Sequence, residues 1–286
     1  MNDISTEEHT KTIPTPGAVP SQGSRTAGWE RAHLYGSRVH ILNNLFLLTA
    51  LARLGSDEIG HPEMVNTLRT TYLSLCIAAC GQEFPEQCAE IATRMSAAHP
   101  QAGVYRGPAI APEIRVVVAD IIRAGIIPSQ TCFELLNTVL PTENIRLDHL
   151  TMARVTDEQG RVTGVDLSGS KIGGTVEGAI LILPDPMGAT GATTVRAVRH
   201  YRENFGEPAL IIAMPMISTP EYMRAVLDNC ANTVIYTARL DRGLSPPEVL
   251  KTVPGTHWDR EQGLDASSYI VPGAGGMGEV LNNSWC

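Results

Sequence analysis

Three largely apolar runs alternate with helical patterns in the second half of the chain, and this alternation constrains the fold more than any other feature. The runs occupy residues 114–120, 178–184 and 209–214 and are rich in Val, Ile, Leu and Ala. Strands that lack a polar face are buried on both sides, as in parallel sheets covered by helices. The pattern therefore predicts an α/β fold built on a parallel sheet.

The region before these runs has the periodicity of helices. Residues 41–54, 62–80 and 84–95 predict three helices, since apolar side chains recur there at steps of three or four. Cys76 and Cys80 share one face of the second helix, and we expect them to be small core residues rather than metal ligands. The other predicted elements are strands at residues 148–155, 161–167 and 233–236 and helices at residues 131–139, 193–204 and 220–230.

The ends of the chain have a different composition from its middle. Residues 1–31 are polar and rich in Ser, Thr, Pro and Gly, which predicts a disordered tail. Residues 32–286 are expected to form one domain, with a polar insertion at about residues 245–268 that reads as a loop or hood. The tail lacks the apolar core of a signal peptide. Six cysteines without a Cys-x-x-Cys pattern fit a reducing compartment, so a cytoplasmic location is expected.

Charge and hydropathy exclude some partners. Acidic residues outnumber basic ones by 30 to 22, giving a net charge of -8, which argues against a nucleic-acid partner. No apolar run is long enough to span a membrane, so no membrane partner is expected. A single phosphorylated metabolite remains possible, because such a ligand needs only a local cluster of donors.

The segment from Leu181 to Thr194 carries the clearest chemistry. A buried strand ends at Asp185, passes through a turn containing Gly188 and Gly191, and enters a helix. Such a turn lies at the carboxyl end of a parallel strand, where open α/β sheets bind ligands, and its amides face an anion at the helix N-terminus. The simpler interpretation is a turn whose Thr and Gly residues only cap the helix. The acidic residue and the strand context favour a phosphate site with a sugar beside it.

Several segments, in the same order, resemble the uracil phosphoribosyltransferase family, which belongs to the type I phosphoribosyltransferases. Asp185-Pro-Met-Gly-Ala-Thr-Gly-Ala-Thr193 is similar to the family's Asp-Pro-Met-Leu-Ala-Thr-Gly-Gly-Ser loop. Ile121-Ile-Arg-Ala-Gly125 resembles Ile-Leu-Arg-Ala-Gly, and Met152-Ala-Arg154 stands where the family has Tyr-Arg. The string from Tyr236 to Leu244 resembles Tyr-Thr-Ala-x-Ile-Asp-x-Gly-Leu, and Tyr269-Ile-Val-Pro-Gly273 also matches. The resemblance covers roughly residues 114–279.

The resemblance implies a parallel-sheet type I phosphoribosyltransferase core with a helical N-terminal part and a hood insertion near the C-terminus. It implies transfer of phosphoribosyl from phosphoribosyl pyrophosphate to uracil, giving UMP and pyrophosphate in pyrimidine salvage. Mg²⁺ would arrive with the donor, and the protein would be a homo-oligomer. The catalytic residues implied are Asp185, Arg123 and Arg154. The donor site implied comprises Arg123, Arg154, Asp185, Pro186, Met187, Gly188, Ala189, Thr190, Gly191, Ala192 and Thr193. The base site implied comprises Ile270, Gly275, Gly276 and Met277.

The chain departs from the family in its last turn. The family usually has Pro-Gly-x-Gly-Asp-Ala-Gly-Asp, whereas this chain has Gly276 in place of the first Asp and Glu279 in place of the second. Two alternatives therefore stay open, namely transfer to another base or specialised metabolite and a regulator that binds nucleotide without turnover. The same turn also satisfies G-x-G-x-x-G, but too few residues follow it for a dinucleotide-binding unit.

Overall fold

A computed structural model describes residues 28–56, 58–156 and 162–284. Most of the predicted N-terminal tail, and Cys286, lie outside the described residues. The helices are α1 (Leu45–Leu54), α2 (His61–Glu83), α3 (Ile126–Leu136), α4 (Ala192–Phe205), α5 (Pro220–Asn229), α6 (Pro247–Leu250) and α7 (Met277–Asn282). The strands are β1 (Val39–Ile41), β2 (Glu86–Ala92), β3 (Val104–Ile110), β4 (Val116–Ile122), β5 (Ile145–Thr156), β6 (Val162–Lys171), β7 (Ile180–Gly188), β8 (Leu210–Ser218), β9 (Thr233–Thr237) and β10 (Arg239–Leu240).

The main sheet of the described chain has the strand order β1-β9-β8-β7-β4-β5-β6. The short strand β10 also pairs with β8, after the end of its pairing with β9. All neighbours are parallel except β5 and β6, which form an antiparallel arm. The three apolar runs become β4, β7 and β8, which lie side by side at the centre. The predicted α/β fold with a parallel sheet is confirmed, and its helical N-terminal part is α1 and α2.

Each face of the sheet carries its own apolar core. On one face, α1, α2, α3 and α7 cover the strands, and the core includes Tyr72, Cys76 and Met214. On the other face, α4 and α5 pack over side chains such as Leu181 and Ile211. Burial on both faces explains why the central strands have no polar alternation. The cysteines of α2 are buried, as the sequence predicts.

One helix prediction fails in kind, and another fails at its boundary. The predicted helix at residues 84–95 is instead β2, which pairs antiparallel with β3 along its whole length. Pro85 explains the failure, because proline cannot continue the hydrogen bonding of α2. The predicted helix at residues 131–139 begins earlier, at Ile126. Its Pro128 lies within the first turn, where a missing amide costs little.

The polar segment at residues 245–268 is ordered around a buried ion pair. Arg242 donates to Glu261 at 2.5 Å, and Glu261 also accepts from the hydroxyl of Tyr35 near the start of the described chain. Burial and this carboxylate raise the pKa of Tyr35. Trp258 packs edge-on against Tyr35. The segment therefore rests on the same face of the sheet as α5. None of the helices within the described ranges is both long and apolar enough to cross a bilayer.

Candidate active site

The Asp185 loop, residues 185–193, joins β7 to α4 at the carboxyl end of the sheet. Its strand lies between β4 and β8, so the loop occupies a central position. The amide of Met187 donates to Asp185 Oδ1 at 3.3 Å, which turns the chain over the strand end. Gly191 caps α4 with φ of 80°, a left-handed conformation that glycine adopts without strain. The strand, turn and helix predicted from the sequence are all present.

Several amides of this loop point away from any protein acceptor. Across the described ranges, no hydrogen-bond acceptor meets the backbone N–H groups of Thr190, Gly191, Thr193 and Thr194. The first amide that returns to the regular helix pattern is that of Val195, which donates to Gly191 O at 2.9 Å. Unsatisfied amides at a helix N-terminus carry partial positive charge and bind anions. The loop can therefore hold a phosphate through its backbone alone.

Contacts from β8 and α5 fix the far side of this loop. The hydroxyl of Thr219 donates to Ala189 O at 2.7 Å and accepts from the amide of Tyr222 at 3.0 Å, so one side chain caps α5 and holds the loop. A Cβ added at Gly188 would lie 2.6 Å from Pro215 Cβ. The glycine at this position, where the resembled family has leucine, thus matches a proline on the neighbouring strand.

Two buried tyrosines lie close beneath Asp185. The Tyr72 hydroxyl donates to Met214 O at 3.2 Å, and the Tyr222 hydroxyl is 3.0 Å from that of Thr194. Burial raises the pKa of both phenols, and the negative charge of Asp185 contributes. Both therefore stay neutral at physiological pH. They give Asp185 a floor of low polarity, in which its hydrogen bonds to a ligand are stronger than in water.

The Arg123 loop, residues 123–125, lies beside the Asp185 loop because β4 and β7 are neighbours. Its arginine follows a cis peptide bond after Ile122. Gly125 begins α3, an eleven-residue helix without a side-chain cap at its N-terminus. A partly exposed guanidinium and a helix N-terminus thus lie together at one sheet edge. Both features favour a phosphate-bearing ligand.

An Asp–His pair supports the Arg123 loop from below. Asp120 is buried on β4, and its Oδ2 lies 2.8 Å from Nδ1 of His149 on β5. Burial raises the pKa of Asp120, while contact with His149 opposes that shift. Its other oxygen, Oδ1, is buried with no hydrogen-bond partner in the described chain, and it faces Gly125. Sequence reasoning missed this pair, because only the register of β4 with β5 makes Asp120 and His149 neighbours.

Arg154 lies on the antiparallel arm rather than on the parallel part of the sheet. The register pairs Ile122 with Thr151, so Arg154 is three residues farther along β5 than the end of β4. In the arm, its backbone pairs with Val165. The arm extends past the carboxyl edge of the sheet, on the side of the Arg123 loop.

The Gly-rich turn, residues 272–278, closes the third side of the site. Ile270 before it and Met277 within it are buried in the same core cluster as Ala189 of the Asp185 loop. Gly273 and Gly275 have φ of 61° and 71°, so this backbone requires glycine. Around Gly275 nothing lies within 4 Å of where a Cβ would stand, which leaves the turn open on that side.

A buried ion pair holds this turn in place. Arg239 donates to both carboxylate oxygens of Asp241 at 2.7 Å each, and also to Gly273 O at 2.9 Å. Asp241 Oδ2 in turn accepts from the amide of Gly273 at 2.8 Å. The pair therefore fixes both backbone groups of one residue. The sequence offers one signal for this pair, because Arg239 and Asp241 are two residues apart in an extended segment and so lie on the same side. Their common partner, Gly273, lies far along the chain.

The Gly-rich turn also reaches the Arg123 loop. Arg123 Nη1 donates to Ser284 O at 3.1 Å, and Arg123 Nη2 is 3.6 Å from Glu279 Oε1 on α7. A Cβ on Gly278 would be 3.9 Å from Ala124. The Arg123 loop therefore meets the Asp185 loop and the Gly-rich turn, and the Arg154 segment approaches along β5. Their combination of amides, a guanidinium and carboxylates suits a ligand that carries phosphate and hydroxyl groups.

No group of three or more His, Cys, Asp or Glu side chains is placed to hold a metal ion anywhere in the ranges described. Asp185 offers one carboxylate at the loop, and Mg²⁺ commonly binds through one or two carboxylates together with substrate phosphates. The residues present therefore fit a magnesium ion that is held mainly by a ligand.

Comparison with known proteins places these features in a family. The model of the family described as uracil phosphoribosyltransferase matches residues 41–260. A uracil phosphoribosyltransferase of Thermosipho africanus is 28% identical over 58% of this chain and 64% of its own length. One of Pyrobaculum islandicum is 28% identical over 60% of this chain and 70% of its own length. The chain thus matches slightly less than two thirds of the first relative.

A solved structure agrees with the fold. A protein of Aquifex aeolicus superposes with a TM-score of 0.64 at 19% identity, and the match covers 85% of this chain and 97% of that one. At this identity the likeness supports the architecture alone.

Proposed function

Because this chain belongs to the uracil phosphoribosyltransferase family, we propose that it transfers phosphoribosyl from phosphoribosyl pyrophosphate to uracil. The products are UMP and pyrophosphate, and the metabolic role is pyrimidine salvage. The observation that carries the proposal is the pairing of two anion sites on adjacent strands. One is the set of unsatisfied amides in the Asp185 loop, and the other is Arg123 at the start of α3.

The donor has a phosphate at one end and a pyrophosphate at the other, which matches this pairing. In the proposal the 5′-phosphate binds within residues 189–193, to the free amides of Thr190, Gly191 and Thr193 and to the hydroxyls of Thr190 and Thr193. Asp185 accepts hydrogen bonds from the ribose hydroxyls. Arg123 and Arg154 bind the pyrophosphate, because a guanidinium pairs with two phosphate oxygens and stays charged. Pro186, Met187 and Gly188 complete the wall of the donor site.

The reaction needs positioning and charge stabilisation more than proton transfer. As pyrophosphate leaves, the anomeric carbon gains positive character, and negative charge builds on the leaving group. Arg123 and Arg154 stabilise that charge, while the fixed ribose keeps the anomeric carbon in line with the base. Mg²⁺, when bound on the pyrophosphate, adds further neutralisation of the leaving group. Asp185, over its low-polarity floor, holds the sugar against rotation.

The base is proposed to bind against the Gly-rich turn. Backbone groups near Ile270, Gly275, Gly276 and Met277 would pair with the edge of the pyrimidine. The fixed position of Gly273 supports this role, because a turn that reads a base through main-chain groups must be rigid. Gly276 stands where the family usually has Asp, and this departure favours a second candidate, transfer to another base or specialised metabolite.

Oligomeric state and location complete the proposal. The hairpin of β2 and β3 has its side chains largely exposed, with Ile91 54% and Tyr105 45% accessible. A two-stranded hairpin is marginal alone, so contact with a second subunit would stabilise it. We therefore propose a homo-oligomer in the cytoplasm, acting on small molecules.

Pyrophosphate release with donor and Mg²⁺ tests the function, with uracil compared against a panel of bases. In Asp185→Asn we expect release to fall by about 100-fold or more, the usual cost of losing one group that stabilises the transition state. Asp228→Asn, the same change on the exposed side of α5, is the matched control and should retain activity. Melting temperatures of both variants report whether the fold is intact.

The outcomes separate the candidates. Release with uracil alone, lost in Asp185→Asn, supports uracil transfer. Release with a different base keeps the mechanism and changes the acceptor. Donor binding without release from any base contradicts catalysis and supports a regulatory protein that binds the donor.

A further inference from the structure

The carboxylate of Glu279 occupies the space that a side chain at Gly276 would need. A Cβ built on Gly276 would lie 2.5 Å from Glu279 Oε2, well inside contact distance. Gly276 has φ of -77° and ψ of 87°, so its backbone does not itself require glycine. The missing side chain therefore has a steric consequence, because it allows Glu279 to fold back over the turn.

Folding back brings Glu279 to Arg123. Its Oε1 lies 3.6 Å from Arg123 Nη2, and both side chains are about one-third exposed, at 33% and 31%. The carbonyl of Ser284 accepts from Nη1 of the same guanidinium at 3.1 Å. Two groups at the C-terminal end of the described chain thus engage the arginine that the proposed function assigns to pyrophosphate.

The helix that carries Glu279 is anchored, so this contact is not the chance approach of a loose end. Met277 and Leu281 of α7 are buried, at 2% and 7% exposure. His61 at the start of α2 is within 3.1 Å of Leu281 O. Anchoring on both sides of Glu279 fixes its backbone and leaves only its side chain free to move.

We propose that Glu279 is a gating residue, whose carboxylate neutralises Arg123 in the empty site and is displaced when the donor's pyrophosphate binds there. The inference rests on the proposed use of Arg123 as a pyrophosphate ligand. A pyrophosphate displaces the carboxylate because it carries more charge and can accept from two N–H groups of the guanidinium at once, whereas Glu279 approaches Nη2 alone. Displacement moves a carboxylate that lies over Gly276, so donor binding also changes the surface offered to the base.

Two variants remove the gate in different ways. Glu279→Gln removes the charge and keeps the shape. Gly276→Ala keeps the charge, but its methyl group expels the carboxylate, and the flexible Glu279 side chain can swing away without disturbing the fold. Binding of inorganic pyrophosphate to the full chain, measured by calorimetry without Mg²⁺ or base, is the readout. We expect each variant to bind about two- to five-fold more tightly, the range typical of a partly exposed ion pair.

The control and the double variant make the test specific. Glu90→Gln breaks a pair with Arg106 on the β2–β3 hairpin, so it makes the same charge change away from the site and should leave affinity unchanged. The double variant Gly276→Ala/Glu279→Gln should bind no more tightly than either single one, because both act on one contact.

Unchanged or weaker pyrophosphate binding in Glu279→Gln overturns the gate, as does a failure of wild type and both variants to bind pyrophosphate at all. This result is independent of the acceptor. If uracil is not a substrate but both variants bind pyrophosphate more tightly, the gate stands and the proposed acceptor fails.

Discussion

The Asp185 loop and the Gly-rich turn face each other across the site, but they are stabilised differently. The loop begins and ends in its own strand and helix, with a left-handed Gly191 before α4, and Thr219 holds its far side. The turn takes its shape from Arg239 and Asp241, which lie on another segment and grip Gly273. The structure of the Asp185 loop can therefore be retained while the sequence of the Gly-rich turn changes. The chain resembles its family closely at the loop and departs from it at the turn.

The largest expected effect comes from removing Asp241. In Asp241→Ala, Arg239 stays largely buried without its partner, so the free energy of unfolding should fall by about 3–5 kcal/mol. Denaturant unfolding measures the loss. The affinity for base should fall as well, whereas pyrophosphate binding should persist.

A paired replacement sharpens that result. Arg239→Met/Asp241→Leu leaves no unpaired charge and should lose less stability than Asp241→Ala. If Asp241→Ala lowers the free energy of unfolding by less than about 1 kcal/mol, the range of an exposed pair, then the Gly-rich turn does not depend on Arg239 and Asp241. The contrast with the Asp185 loop would then be wrong.

A smaller loss of stability is expected from replacing a glycine with positive φ in the Asp185 loop or in the Gly-rich turn. Gly191→Ala forces a left-handed alanine and places its Cβ 3.0 Å from that of Ala225, so we expect a loss of about 1–2 kcal/mol. Binding of ribose 5-phosphate should weaken with it, as titration calorimetry would show.

Gly275→Ala is the matched variant, because it has a similar φ but open space around its Cβ. It should carry the backbone cost without the crowding, and it should spare ribose 5-phosphate binding. Equal phosphate affinities in the two variants would contradict the local construction of the Asp185 loop.

The smallest expected effect concerns pH. Burial raises the pKa of Asp120, so the stability contributed by its protonated form is present in acid and is lost as pH rises through the folded-state pKa. In Asp120→Asn this loss is absent, and the variant should gain melting temperature over wild type at pH 8 but not at pH 4.

His149→Gln separates the burial of Asp120 from its contact with His149. It removes the hydrogen-bond partner of Asp120 Oδ2 and leaves the buried carboxyl, so it should destabilise the protein more at neutral pH than in acid, where the carboxyl is protonated. If Asp120→Asn raises the melting temperature equally at both pH values, then the ionised carboxylate does not destabilise the Arg123 loop.

These contrasts explain how far the sequence could predict the molecule. The central strands and the Asp185 loop were predictable because their signals are contiguous, an apolar run followed by an acidic residue, glycines and a helix. The contacts of Arg239 and Asp241 with Gly273 and the Asp120–His149 pair were not, because each joins residues that are far apart in the chain and meet only in the folded structure. The helix predicted at residues 84–95 is wrong because β2 carries no clean alternation of buried and exposed residues and because Pro85 ends α2.

The pairing of β1 with β9 bears on how the protein is made. The first strand of the described chain finds its sheet partner only near the end, and Tyr35 beside it bonds to Glu261, 226 residues away. On the ribosome, β1 must wait as an unpaired apolar edge until nearly all the chain has emerged. Folding of the last strands and assembly of the site therefore occur together, late in folding. A chain truncated before β9 would expose unpaired strand edges that promote aggregation.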